Sequence, residues 1–311
     1  MVHDGPPVDH YNNRYPLQKI LSMAVDRESY QRLLDYKIPD IAQTVTARDT
    51  MLYALGIGLG ADPVDPRQLR FVYEKDLLAF PTIIAVICEP HGWLRHTGTG
   101  FGAKAVAGGT RIRLHRPIPV AGEFLGKARL ASVVDKGVGK AALVTTARDV
   151  YEKSSGELIA TMEHTRFCRG DGGFGGTTGP VELPHALPDT APEFVCEMRT
   201  LPQAALIYRL SGDYNVLHAD PEQANELGFP RPNLHGLCTL GVACHALLKT
   251  LCGYDPSRLK SIEARYSVPV YPGETLRTEM WRDGSVVSFR TVVTERDNAM
   301  VLNNGRAEIV Q

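Results

Sequence analysis

The sequence predicts an α+β protein built from two similar units. Three observations carry this. The chain has 311 residues, about two domains' worth. Each half holds helical stretches and a meander of strand-like runs. Between the halves, residues 169–192 are rich in glycine and then proline, with little apolar content, which is the composition of a linker. A helix packed on an antiparallel sheet is the simplest form for each unit.

In chain order, residues 1–16 are polar and rich in Pro and Gly, and are expected to be a mobile arm. Residues 17–36 carry helical apolar spacing and are expected to form one or two surface helices. The first unit is expected to start at Thr44. A helix should begin with Thr46 as cap, because Asp49 stands three residues on. Six runs then read as mostly strand: 69–74, 81–89, 110–119, 123–137, 140–152 and 157–168. Several are separated by Gly or Pro turns.

The second half begins with a strand-like run at 195–201 and a short helix over 202–210. Another short helix covers 221–228, and a nearly all-apolar helix covers 234–253. Four or five strands follow, with turns at Pro272-Gly273 and Asp283-Gly284. The predicted organisation is an arm with surface helices at 1–43, a first unit at 44–170, a linker at 171–192 and a second unit at 193–311.

Composition narrows the function. The chain is 43% hydrophobic and 22% charged, ordinary for a soluble globular protein. A net charge of −1 offers neither a field for nucleic acid nor a polybasic membrane surface. A phosphate-bearing ligand would need a local basic patch. The six cysteines have no regular spacing, as expected for reduced, buried thiols. No apolar run approaches the ~18 residues of a membrane span. The N-terminus lacks a basic-then-apolar pattern and the C-terminus reads AEIVQ. Neither a secretory signal nor an SKL-type address is expected. The expected location is cytoplasmic in a bacterium, or peroxisomal by another route in a eukaryote.

The chemistry gathers in residues 208–241. Asp213, Asn215 and His218 fall within six residues, between Ser211-Gly212 and Ala219-Asp220-Pro221, in a turn-rich segment. A carboxylate and an imidazole close together on a loop can share one proton-transfer task. Gly236 follows His235 at the start of the apolar helix, where a backbone amide can stabilise an oxyanion. Alone, Asp213 also reads as a turn cap and His218 as a satisfied loop histidine.

Other motifs are weaker. His235, Cys238, Cys244 and His245 invite a metal reading, but the run is apolar and holds no carboxylate, so no metal is expected. Residues 170–175 formally match GxGxxG but lead into Thr-Thr-Gly-Pro, so a dinucleotide site is not expected.

The segment Tyr208-Arg-Leu-Ser-Gly-Asp-Tyr-Asn-Val-Leu-His218 resembles the signature of the R-specific enoyl-CoA hydratases, the hydratase 2 group of the MaoC-like family. Supporting stretches run from Val45 to Val310: Tyr53–Gly58, Phe71–Glu74, Arg116–Pro119, Asp135–Gly137, Gly172–Gly176, Leu234–Thr239 and Pro269–Gly273. The resemblance implies a double hot-dog fold, two units each with a long helix wrapped by a curved antiparallel sheet. It implies reversible syn hydration of a trans-2-enoyl-CoA to a (3R)-3-hydroxyacyl-CoA, without redox cofactor or metal. The second unit would be catalytic and the first would accommodate the acyl chain.

Asp213 and His218 would activate water and protonate C2, Asn215 would orient the water or a member of that pair, and the Gly236 amide would be the oxyanion donor. Lys136 would contact CoA, and Tyr266 would line its channel. Tyr53, Glu74, Gly108, Tyr214, Val216 and Leu217 complete the implied substrate positions. Two departures from the family pattern stand out. Val216 replaces the usual proline, and Ala107-Gly-Gly-Thr110 replaces a His-Gly-Glu-Gln segment. A homodimer is expected, and a hot-dog thioesterase or a non-catalytic acyl-CoA binder are the alternatives. Thioesterases of this architecture usually carry an acid on the central helix, whereas 234–252 has none.

Overall fold

The computed structural model describes residues 25–179 and 182–310. The expected arm over 1–16, and the start of the helical stretch from 17, lie outside them. Helix α1 (Arg27–Asp35) is capped by the Asp26 carboxylate, which accepts the Ser29 amide at 2.8 Å. Strand β1 (Ile41–Val45) precedes and overlaps the expected start at Thr44. Helix α2 (Ala47–Gly56) opens with the capping box read from the sequence. Thr46 Oγ1 accepts the Asp49 amide, and the Asp49 carboxylate accepts the Thr46 amide.

Two expected strands are absent. Residues 69–74 end the short helix α3 (Pro66–Leu69) and continue as turns. The run 81–89 forms a 3-10 helix over Pro81–Ala85 and then turns, followed by α4 (Trp93–His96). Ile83, Ile84, Val86 and Ile87 are all buried, so their β-branched character reported burial and not strand. A longer helix is stopped here by Cys88 and Gly92 at positive φ and by Pro90, which has no amide to donate.

The remaining strands of the first unit are β2 (Ala105–Leu114), β3 (Gly122–Asp135), β4 (Ala142–Glu152) and β5 (Leu158–Cys168). The second unit runs β6 (Phe194–Arg199), α5 (Ala204–Tyr208), α6 (Pro221–Glu226), α7 (Gly236–Leu251), β7 (Leu259–Tyr266), β8 (Thr275–Asp283), β9 (Val286–Val293) and β10 (Ala299–Ile309).

The described strands form one antiparallel sheet in the order β1-β3-β4-β5-β2-β7-β10-β9-β8-β6. Read from its outer edge, each half follows the same course, 1-3-4-5-2 and 6-8-9-10-7. The repeat invisible as sequence identity is thus explicit in topology. The halves join at β2 and β7, from Gly109 opposite Arg265 to Arg113 opposite Ser261.

The expectation of a long helix in each unit is met only in the second. Between β6 and β7, α7 is buried nearly all round, through Cys238, Leu240, Ala243, Cys244, Leu247 and Leu248. Each large apolar side chain buried this way contributes about 1.5–3 kcal/mol. The matching place between β1 and β2 holds the irregular 81–96 segment.

The linking segment is pinned to the second unit. His185 Nε2 lies 2.8 Å from Ser288 Oγ, and Trp281 Nε1 donates to the Thr190 and Ala191 carbonyls. The glycine-rich run before it has an internal partner. The amides of Gly173, Gly175 and Gly176 donate to the Asp135 carboxylate at 2.7, 2.9 and 3.4 Å. That accounts for the GxGxxG look-alike without a nucleotide.

Candidate active site

Helix α5 ends at Tyr208, and a 3-10 turn over Arg209–Ser211 leads to Gly212 at φ 130°. That conformation is open to glycine and turns the chain into Asp213. Asp213 Oδ1 accepts the Asn215 amide at 3.3 Å, and Asn215 Oδ1 accepts the Leu217 amide at 3.3 Å. These two Asx-type bonds start the 3-10 turn Val216–His218 and so fix the spacing from carboxylate to imidazole. The turn-cap reading of Asp213 is therefore true locally, and it holds only one of the two carboxylate oxygens.

His218 Nδ1 lies 2.9 Å from the Asn233 carbonyl oxygen. A carbonyl only accepts, so Nδ1 carries the proton and Nε2 keeps its lone pair. His235, the residue before α7, places Nε2 3.0 Å from the Asp213 carbonyl oxygen. Its Nδ1 is then the bare nitrogen, buried and unpartnered among the described residues. The two rings stack with centroids 3.7 Å apart. Tyr208 also packs against His235, with ring centroids 4.9 Å apart.

Burial pushes the Asp213 carboxyl up, but the charges that His235, His218 and His91 carry when protonated, with the Asn215 amide, outweigh it and hold it below the ordinary value. Burial lowers the His218 imidazole, and Asp213 only partly restores it. Burial, with His218 beside it, lowers His235 to about 3. At neutral pH the loop presents an ionised carboxylate beside two neutral imidazoles. One ligand atom from each of Asp213, His218 and His235 falls within 4.8 Å of the others. That spacing suits a water molecule or a metal ion equally. The four residues that invited a metal reading are not grouped. Cys238 donates to the Gly56 carbonyl at 3.4 Å, while His245 lies against the Ile57 carbonyl and the Tyr254 hydroxyl.

Gly236 is the first residue of α7, so its amide is one of the four with no intrahelical acceptor, at the positive end of the helix dipole. A Cβ on Gly236 would sit 3.1 Å from Tyr266 Cε1 and 3.5 Å from Ala107 Cβ. Tyr266 donates its hydroxyl to Thr110 Oγ1 at 2.9 Å, and Thr110 Oγ1 lies 2.9 Å from His164 Nδ1. Gly236, Tyr266 and the departing 107–110 segment are thus one neighbourhood.

The other implied positions divide between the loop itself and the first unit. A Cβ on Gly108 would come 3.1 Å from the Thr165 carbonyl oxygen, so close strand packing at a β2 bulge already favours glycine there. Tyr53 is fully buried, donates to Thr82 Oγ1 at 2.9 Å, and packs on Tyr208. Glu74 is exposed on the turn after α3. Lys136 is exposed beside Asp135 on the β3–β4 turn. Tyr214 lies under the Arg209 guanidinium at 4.9 Å, Val216 is exposed, and Leu217 is half-buried.

The structure adds groups that sequence reasoning missed. His91 Nε2 would lie 3.7 Å from a Cβ on Gly212, next to Asp213. The Asp213 charge is also felt at His164 and Arg166 of β5. All three come from the first unit, and no local pattern marks them.

Residues 43–170 match the MFE-2 hydratase 2 N-terminal domain, and residues 185–304 match the MaoC like domain. The chain is 41% identical over 287 residues to "Enoyl-CoA hydratase 2, peroxisomal" of Arabidopsis thaliana, covering 86% of this chain and 92% of that protein. A MaoC-like dehydratase from Phytophthora capsici aligns with a TM-score of 0.78 and 34% identity, covering 91% and 99% of the two chains. A Mycobacterium tuberculosis protein described as a double hotdog aligns at 14% identity and a TM-score of 0.54, covering 89% and 96%, and shows the fold alone. The chain is a double hot-dog protein and belongs to the MaoC-like hydratase 2 family.

Proposed function

We propose that this chain catalyses the reversible syn addition of water to a trans-2-enoyl-CoA, giving a (3R)-3-hydroxyacyl-CoA. Support at the coarser level, a hydro-lyase acting on enoyl-CoA, comes from the family and from the name carried by its Arabidopsis relative. The observation that carries the finer reading is the bare Nε2 of His218 beside ionised Asp213.

A water seated between the Asp213 carboxylate and His218 Nε2 loses a proton to this pair as its oxygen bonds to C3. The π electrons move toward C2 and the thioester oxygen. The Gly236 amide bonds that oxygen as enolate charge develops. One such donor is typically worth ~3–4 kcal/mol of transition-state stabilisation. The captured proton then passes to C2 from the same face, which makes the addition syn. These steps use only protons and water. His235 holds the loop and the helix start in register, while Asn215 shapes the turn. The partner is an acyl-CoA, and pairing into a homodimer is part of the same proposal.

The test is product configuration. Purified protein supplied with crotonyl-CoA in deuterated water should give a product of one hand, (3R), with deuterium at C2 on the face that received the oxygen. A (3S) product, or free thiol in place of hydration, contradicts the reading. Free thiol would favour the thioesterase alternative.

A further inference from the structure

Ligand pockets are mostly apolar, yet the inward face of the first unit carries charge. Arg148 is 4% exposed, is paired with Glu89, and donates to the Ile84 carbonyl at 2.6 Å. Arg166 is 19% exposed at its side chain and lies on the same face of β5 as Met162 and His164. Its guanidinium donates to Thr146 Oγ1 and Glu89 Oε1, both at a long 3.5 Å. Its guanidinium carbon stands 5.9 Å from the centre of the Trp93 ring.

Several contacts place this cluster beside the proposed chemistry. His164 reaches Thr110, which holds the hydroxyl of Tyr266 beside Gly236. His91 lies against Gly212, the residue before Asp213. The segment 81–96, which carries Glu89 and His91, stands where the second unit has α7. The cluster thus borders the dyad from the first unit.

Charge does not balance inside it. Two guanidiniums face one carboxylate, Glu89, which Arg148 already engages. Burial keeps His164 neutral, lowering it to about 3, and lowers His91 too. Arg166 shares its one close counter-charge, Glu89 at 3.5 Å, with the more tightly paired Arg148. A mostly buried cation that must share its counter-charge is costly to hold. Its other negative neighbour is Asp213 itself, the site's own base.

Resting on the hydratase reading above, we propose that the preferred acyl group carries a carboxylate beyond the reacting double bond, and that Arg166 binds it. The substrate class is the mono-CoA thioester of an unsaturated dicarboxylic acid. Arg166 supplies planar paired donors, which suit a carboxylate, and its long bonds leave it free to turn.

Two experiments test this on the whole chain. Calorimetry compares succinyl-CoA with butyryl-CoA, and glutaryl-CoA with valeryl-CoA, so that binding is read without turnover. Steady-state kinetics compares trans-2-enoyl-CoAs with their terminally carboxylated counterparts of equal length. The wild type should favour the acid by about tenfold or more in both assays. Arg166→Met should bring that ratio toward one, and Arg166→Lys should keep part of it. Equal treatment of both substrates by the wild type overturns the proposal. So does an Arg166→Met variant that weakens both alike, which marks a purely structural role. Arg166-dependent binding of the acid with no hydration of any enoyl-CoA sinks the hydratase reading and leaves the acid seat standing.

Discussion

His218 and His235 are tied reciprocally. Their rings stack at 3.7 Å, and each donates an N–H to a carbonyl of the segment that carries the other. His218 bonds the Asn233 carbonyl, two residues before His235. His235 bonds the carbonyl of Asp213, five residues before His218. The proton-transfer loop and the Gly236 amide therefore form one unit. Under the proposed mechanism, a shift of either segment would misplace both the water and the thioester oxygen.

This predicts a large kinetic effect for a residue that makes no proton transfer of its own. His235→Ala removes the stack and the tie together. Misplacement of about an ångström is expected to lower kcat by about 100-fold. Melting should show a loss of about 1–3 kcal/mol. His235→Phe keeps the stack and should recover more stability than kcat. Equal recovery of both would assign His235 to packing alone.

The pH dependence of hydration follows from the two lowered groups. In the proposed mechanism the active form has Asp213 ionised and His218 neutral. Burial shifts His218 below its ordinary 6.5, so its neutral form persists as pH falls through that value. Asp213 lies below 3.8. The kcat/KM profile should stay flat from neutral pH down past 6.5 and fall only on the acid side. An acid limb centred at or above 6.5 contradicts the assignment.

Gly236→Ala places a methyl 3.1 Å from the Tyr266 ring, in the approach to the proposed oxyanion donor. The amide stays but the thioester is pushed off it. The expected loss is about 100-fold in kcat or more. Tyr266→Ala in the same chain opens space and should return part of the activity. No rescue would mean the glycine serves the backbone and not the substrate.

Acid should unfold the protein through its buried imidazoles. His164 and His235 are lowered to about 3, and His245 to about 4, with burial as the largest cause in each. Between these values and 6.5 the unfolded chain binds more protons than the folded one. Stability therefore falls as pH drops through that window. Each such group costs about 2 kcal/mol at most by pH 5. Melting temperatures should decline from pH 6.5 toward 4. His245→Gln should flatten part of that decline, and an unchanged slope would contradict the role of His245.

The loop and the helix start were legible because they are local. Asp213, Asn215 and His218 are fixed by Asx-type bonds spanning two residues, and Thr46 with Asp49 by a box spanning three. The 81–89 run was not legible. Ile83, Ile84, Val86 and Ile87 are buried whether the backbone extends or coils, and positive φ at Cys88 leaves no signal in composition. His91, His164 and Arg166 were missed for another reason. They reach the site only after β5 and the 81–96 segment fold against it. The role of the 172–176 glycines became clear only with Asp135, whose carboxylate gathers their amides from across the sheet edge.

In the proposed mechanism Asp213 and His218 together carry the hydration step. The most direct measurement is the initial rate of loss of the enoyl-thioester absorbance for crotonyl-CoA. It should be made with the wild type, Asp213→Ala, His218→Ala and the double variant, each checked for native fold by circular dichroism. Loss of a positioned acid–base group costs about 100- to 10,000-fold. Each single variant should fall in that range, and the double variant should be little worse than either, because the two groups act on one proton. Either single variant retaining more than about a tenth of the wild-type rate, well above that range, would contradict the account.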